Sequence, residues 1–516
     1  MRYIVLKKHL INIFSLWFSR FGKVLATIVL TPLILNVLGV ESAAIWVLIS
    51  QVLGFMTLME LGLVTASTKL IAKGLHSPDV DNQLSIAVTT VFALLSTLAI
   101  LFMIVTSLFA AYGAELFNLQ PHSHEQFRSL LLLGGVCYSI SFPFRIGFGL
   151  LGAKNLFYRV AFWQACPVVI QLLAVLALWG MGLFSLYYLA LITFGTYLFV
   201  SVLQFLDGWR HFPGLSFSFF QLNPNRIKEV LSVGGASFLI SAGASIVFLG
   251  SPLIVASSVN LEKLVVFSYA MLITRSILPF LSIGSRLIMP VAVELKEKSD
   301  EIALKNVFFD SARYSLALGA GIVIIFLYSL EDLLFIWLSD NELGREELKD
   351  MSTYTISIFC ATVISLPSVL GRSVLIAVNR HWLASLFEVG SVIIGISFGS
   401  ALCLMGYGAN GMVVGIVAVY FIKGLLFFPS LLSHIFGMQY VKLILCVYKK
   451  PLALFLMVTF LSWGVTATFD NIFYQVVYNS IIITLFWCII FSLLIITASH
   501  KKQVKRYFLN KFVSRH

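Results

Sequence analysis

Fourteen apolar stretches, each long enough to cross a lipid bilayer, leave this chain very few possible folds. They fall at about 10–38, 42–65, 84–112, 129–152, 160–181, 183–206, 229–257, 264–290, 314–337, 352–378, 383–407, 410–433, 451–468 and 475–499. A crossing takes about 20 apolar residues. In hydrocarbon every backbone N–H and C=O must be paired within the protein, so runs of this length read as helices. Only 11% of the 516 residues are charged, where a soluble domain carries about a quarter. The expected fold is therefore an all-α integral membrane protein with about 14 transmembrane helices.

The Lys and Arg positions test that map, because cytoplasmic loops are enriched in both. With the N-terminus inside, only Arg128, Lys263, Arg345 and Lys349 fall in outer loops. Arg20, Lys23, Arg145, Arg275, Arg286, Arg372 and Lys423 fall within spans, and all other basic residues fall on the inner face. Both termini are thus expected in the cytoplasm. The net charge of +12 needs no nucleic acid, since membrane lipids with anionic headgroups already account for basic inner loops. Residues 1–8 are basic and precede an apolar run, as in a signal peptide. That run is too long and carries Arg20 and Lys23, so it reads as an uncleaved first span. The six cysteines show no CxxC spacing and read as small core residues, with no metal or disulfide set.

The chain also repeats itself. Residues 139–155 (SISFPFRIGFGLLGAKN) align without a gap on 363–379 (VISLPSVLGRSVLIAVN), matching Pro143 with Pro367, Gly147 with Gly371 and Asn155 with Asn379. An even number of spans separates the two, so the halves share one orientation, related by an axis along the membrane normal. The expected organisation is two pseudo-symmetric six-helix bundles, a parallel repeat at 1–206 and 229–433. They are joined by a cytoplasmic linker at 207–228 that holds Pro213 and Pro224, and 434–516 supplies two extra C-terminal helices and a basic tail. Pro143 and Pro367 should kink their helices, as hinges or as packing features. Gly395-x-x-x-Gly399 and Gly411-x-x-x-Gly415 suit close helix approach.

Seven basic residues lie in spans against two acidic ones, Glu60 and Glu388. An ionisable group at that depth costs about 2.5–3.5 kcal/mol even on the lenient insertion scale, so it faces a cavity, a partner or a polar substrate. Arg275 and Lys423 lie deepest and call for a cavity or a buried pair. Arg145 and Arg372 sit about one helical turn apart in the register of the repeat and would each give their bundle a guanidinium. Arg20, Lys23 and Arg286 lie near inner ends, where snorkelling explains them as well as a cavity does. Glu60 and Glu388 suit charge pairing or proton coupling. The excess of cations points to an anionic cargo.

The segment FSRFGKVLATIVLTPLILNVLGVESAAIWVLISQVLGFMTLMELGLVTAST (15–68) resembles the Wzx-type polysaccharide and O-antigen repeat-unit flippases. The likeness rests on a proline in the first helix, Leu38-Gly39 with Glu41, Ile45-Trp46 and Glu60-Leu61-Gly62-Leu63. Tyr407-Gly408-Ala409-Asn410-Gly411 is similar to the glycine turn of that family. The resemblance implies a bacterial inner-membrane protein that translocates an undecaprenyl-pyrophosphate-linked oligosaccharide through a V-shaped cavity between bundles. It also implies a polysaccharide polymerase and chain-length machinery as partners. Guanidinium groups suit such a cargo, because they bind phosphate in a bidentate fork and stay charged when desolvated.

Two relatives share the two-bundle plan, the multidrug or cation antiporters and the lipid II flippases. A cation exporter would be expected to carry carboxylates in its cavity, opposite to the balance here. An enzyme finds little support: Gly22-Lys23 lacks the upstream glycine of a phosphate loop, Trp17 standing in its place, and Val24 replaces the hydroxyl residue. No HExxH occurs, and His122 and His124 read as solvated loop residues. No cofactor is expected.

Overall fold

Helix is the only regular structure among the described residues, as apolar runs of this length require. The computed structural model describes residues 2–56, 58–75, 79–217, 242–298, 300–338, 343–378 and 380–495, with 227, 228, 235, 238 and 239. Among these, eleven helices are long and apolar enough to cross a membrane, and Ala242–Ala256 is a shorter apolar helix. The chain is a multi-pass membrane protein. The difference from fourteen has a geometric origin, because two pairs of expected spans run on from one another. One pair lies in helix α1 (Arg2–Met56) and the other in the stretch Trp382–Phe436. Each pair turns at glycine: Gly39 has φ 78°, Gly406 φ 95° and Gly408 φ 52°, values open to glycine and costly for other residues. The motifs Leu38-Gly39 and Tyr407-Gly408 are these turns. The expected span 229–257 and the linker 207–228 lie partly outside the described residues, and the tail from Lys501 lies wholly outside them.

The described residues divide into two compact units, one ending at Ser268 and the other beginning at Tyr269. The turn Ile246–Gly250 packs on α1 within the first unit, where the Leu249 methyls lie 3.5 Å from the Cβ position of Gly54.

The first unit contains α2 (Leu58–Leu75), α3 (Val80–Leu116), α4 (His124–Phe144), α5 (Ile146–Ala153), α6 (Phe157–Gly180) and α7 (Leu186–Arg210). Helix α3 packs along α4, α4 along α7, and α1 along α6. Leu70, Ile71, Val88, Val91, Ile146 and Leu150 close one core between α2, α3 and α5. At one end of this unit His122 Nε2 lies 2.9 Å from Glu41 Oε1, and the Ser123 hydroxyl donates to the same carboxylate. His124 Nε2 lies 2.9 Å from the Leu119 carbonyl. Both histidines tie down a loop.

Helix α8 (Ser251–Ala256) precedes α9 (Leu261–Leu281), which leads into the second unit, with α10 (Ile283–Glu297), α11 (Glu301–Trp337), α12 (Arg345–Ile364), α13 (Leu366–Ala377) and α14 (His381–Leu402) following. Next come α15 (Gly408–Phe421), α16 (Phe428–Phe436), α17 (Tyr440–Trp463) and α18 (Ile472–Leu494). The two C-terminal helices pack on α11 through Ala317, Ala320, Ile324, Leu454, Val458 and Ile483, and Trp487 Nε1 donates to the Ala317 carbonyl at 2.8 Å. The GxxxG pairs bring α14 and α15 together, with the Gly415 Cα only 3.0 Å from the Cβ position of Gly399. All six cysteines are free, and Cys488 faces outward rather than into a core.

Both repeated helices are interrupted close to their prolines. Helix α4 stops at Arg145, two residues after Pro143, and α12 stops at Ser365, two residues before Pro367. A proline removes one backbone hydrogen bond and crowds the preceding turn. In the second unit the gap is covered by Tyr448, whose hydroxyl lies 2.8 Å from the Ile364 carbonyl and 3.0 Å from that of Gly424.

Candidate functional site

In the second unit two of the expected cations converge on one carboxylate. Glu388, on α14, accepts a hydrogen bond at Oε1 from Lys423 Nζ, and Arg372 Nη1, on α13, lies 3.7 Å from Oε2. Lys423 is 4% exposed and Glu388 6%, so of the roles expected for Lys423 the structure shows the buried pair. The ammonium also sits 5.4 Å from the centre of the Tyr420 ring. Lys423 belongs to a π turn, Ile422–Phe427. Turns of this kind recur at functional sites. Here Gly424 presses on the α12–α13 break, its Cβ position 2.9 Å from the Ile364 carbonyl oxygen and the Ser365 Cα. Two cations on one carboxylate leave one positive charge in excess, and Arg372, with a quarter of its side chain exposed, is the group nearest solvent.

Arg275 stands apart from this cluster. It lies about 21 Å from the Leu261 end of α9, itself about 31 Å long at 1.5 Å per residue. That is the C-terminal third of the helix. The expected span ran to 290, but α9 ends at Leu281, two residues after Pro279, and Ser282 caps the next helix. The Arg275 side chain is exposed, although Ala270, Met271 and Thr274 beside it on α9 are buried. No ion pair or hydrogen bond holds its guanidinium among the described residues.

In the first unit Arg145 and Lys23 line one cavity of about 290 Å³ between α1, α4, α6 and α7. Arg145 Nη1 donates to the Tyr197 hydroxyl, and its guanidinium carbon lies 5.4 Å from the Tyr197 ring centre and 5.7 Å from that of Phe148. Tyr197 stacks in turn on Tyr138 at 4.3 Å. The break that ends α4 at Arg145 is therefore also where this cation enters the cavity. The side chains of Arg20, Glu60 and Arg286 lie outside the described residues.

This arrangement of helices has been seen before. A structure of the lipid II flippase MurJ in an inward closed conformation superposes with a TM-score of 0.71 at 12% identity, covering 94% of this chain and 98% of its own. An inward-facing multidrug resistance MATE family transporter of the MOP superfamily gives 0.68 at 15% identity, covering 82% and 95%. The chain shares the fold of these transporters. A third MOP superfamily transporter, from Pyrococcus furiosus and described as having a binding pocket of reversed polarity, gives 0.58 at 16%, covering 83% and 96%. No family model matches the sequence, and no curated protein matches it.

Within this fold, sequence reasoning singled out the charges and passed over the groups that frame them. Gln164 and Gln171 are seven residues apart on α6, and Thr193, Tyr197, Ser201 and Gln204 follow spacings of four, four and three on α7. Such spacings put polar groups on one helix face. A polar stripe in an apolar span was the available signal. Tyr420 and Tyr448 gave no such signal, because their roles depend on the α12–α13 break.

Proposed function

We propose that this protein is a flippase for a polyprenyl-pyrophosphate-linked oligosaccharide, moving an O-antigen, capsule or exopolysaccharide repeat unit across the bacterial inner membrane. It is a transporter rather than an enzyme, with both termini in the cytoplasm. The observation that carries this reading is Arg275, a guanidinium exposed on an apolar helix with no described protein partner. Five N–H donors and a fixed charge at that place call for an anionic ligand with several acceptor oxygens. A pyrophosphate meets that need, and a cationic drug does not. The fuller coverage of this chain by the lipid II flippase structure than by the MATE transporters supports the same choice. A lipid II-type cargo presents the same pyrophosphate and is the second reading.

Substitution at Arg275 tests it. Arg275→Ala and Arg275→Gln should abolish surface-glycan assembly at unchanged protein abundance, while Arg275→Lys keeps part of it. A charge-assisted contact contributes about 1.5–3 kcal/mol, or roughly ten- to a hundredfold in headgroup affinity. Full glycan display from Arg275→Ala would overturn the reading. Complementation of a strain lacking its lipid II flippase would select the second reading over the first.

A further inference from the structure

The cavity beside Arg145 lies inside the first unit, and its lining is unlike that of a site for a pyrophosphate alone. Four aromatic side chains, Tyr138, Phe148, Trp163 and Tyr197, form its apolar walls. Between them stand three amides, Gln164, Gln171 and Gln204. Amides in a membrane-spanning bundle are costly unless something hydrogen-bonds to them.

Gln204 is the sharpest case. It is 2% exposed, it lines the cavity, and its Nε2 has no hydrogen-bond partner. A buried amide N–H group without an acceptor is costly, and a ligand oxygen in the cavity would relieve that cost. Gln171 is held the other way: its Nε2 donates to Thr193 Oγ1 at 2.8 Å, leaving Oε1 as an acceptor for a ligand hydroxyl. The indole of Trp163 is fixed, since its Nε1 donates to Asp207 Oδ2 at 2.8 Å and Asp207 is held by Arg159 at 2.5 Å. A fixed ring face, one unfilled donor, one acceptor and two cations make up a receptor for a sugar ring. Its hydroxyls exchange hydrogen bonds with amides, its C–H face lies on an aromatic ring, and an acidic substituent meets Arg145 and Lys23. The volume of about 290 Å³ stands at the small end of ligand sites, about 300–1,000 Å³, and suits one ring rather than a chain.

We propose that this cavity is a subsite for a single acidic sugar residue, of uronic acid type, with Gln204 and Gln171 reading its hydroxyls and Arg145 its carboxylate. The proposal rests on the flippase reading for the source of the sugar. Its binding chemistry is separate from the pyrophosphate contact assigned to Arg275.

Saturation-transfer NMR on the full-length protein in lipid nanodiscs tests it, with D-glucuronate, D-glucose and inorganic phosphate as probes. Glucuronate should bind saturably, and glucose at least tenfold more weakly. Gln204→Leu should weaken glucuronate about tenfold, and Arg145→Gln should bring it down to the level of glucose. Gln204→Glu keeps a polar side chain but adds a negative charge, so it should reject glucuronate more strongly than glucose. No saturable glucuronate binding would overturn the proposal. So would phosphate binding as well as glucuronate while glucose does not bind, or a Gln204→Leu variant that binds like the wild type. The two readings fail separately. Intact glycan display in Arg275→Ala removes the flippase and leaves this titration standing, whereas display that needs Arg275 without glucuronate binding removes only the subsite.

Discussion

Arg145 and Arg372 occupy the two copies of the repeated segment, one turn apart in register, and meet different surroundings. Arg145 rests on the Tyr197 hydroxyl and on the rings of Phe148 and Tyr197, at the edge of a cavity. Arg372 shares the Glu388 carboxylate with Lys423, among buried side chains. Hydroxyl and ring contacts orient a cation at the edge of the cavity. A carboxylate neutralises much of that charge and ties it into the packing. The repeat thus keeps one basic group per copy and separates the uses: in the first unit the cation opens on a cavity, and in the second it reinforces the α12–α13 break beneath the π turn.

The largest expected effect breaks this contrast at Glu388. Glu388→Ala leaves Lys423 buried without its counter-charge, and removing one partner of a buried pair costs about 3–5 kcal/mol. Folded protein recovered in detergent, followed by fluorescence-detected size exclusion after a temperature series, should fall sharply. The double variant Glu388→Leu with Lys423→Met should recover most of it, since an apolar pair of similar size often matches a buried ion pair and Arg372 still reaches solvent. A Glu388→Ala protein as heat-resistant as the wild type would show that the cluster is not structural. By the same logic Lys423→Ala should lower abundance, unlike Arg275→Ala, which should lower glycan display alone.

The helices were legible in the sequence because hydropathy and loop charge are local properties, and the turns at Gly39 and Gly406–Gly408 were legible because only glycine suits their φ values. The Glu388 pair was legible as charge balance, though not as geometry. Its partners come from α13, α14 and the π turn, and no spacing along the chain reports how those elements cross. The apolar run that holds Arg275 continues past Ser282, so hydropathy does not register the helix end that follows Pro279. The cavity of the first unit was half legible. Arg145 and Lys23 stood out by charge, whereas Gln171 and Gln204 needed the helical spacing of uncharged polar groups.

Smaller effects sharpen the comparison at the repeated glycines. Gly147 and Gly371 correspond in sequence, and in each unit the glycine faces a later helix of its own bundle. A methyl group at Gly147 would stand 2.8 Å from the Phe205 Cα and 2.9 Å from the Gln204 carbonyl oxygen. That is backbone, which cannot step aside without moving α7. At Gly371 the nearest atom is a Leu432 side-chain methyl at 2.7 Å, with the rest of that side chain 3.5 Å away or more, and a leucine can change rotamer. Gly147→Ala should therefore destabilise by about 1–3 kcal/mol, the usual range for overpacking, and should disturb Gln204 and the cavity it lines. Gly371→Ala should be close to neutral, since the better helix propensity of alanine, about 0.8–1 kcal/mol, offsets the adjustment of Leu432. Thermal unfolding of the two single variants side by side measures the difference. Equal losses at both positions would mean that the repeated glycines hold the same kind of backbone contact, and that the two units diverge only in their charges.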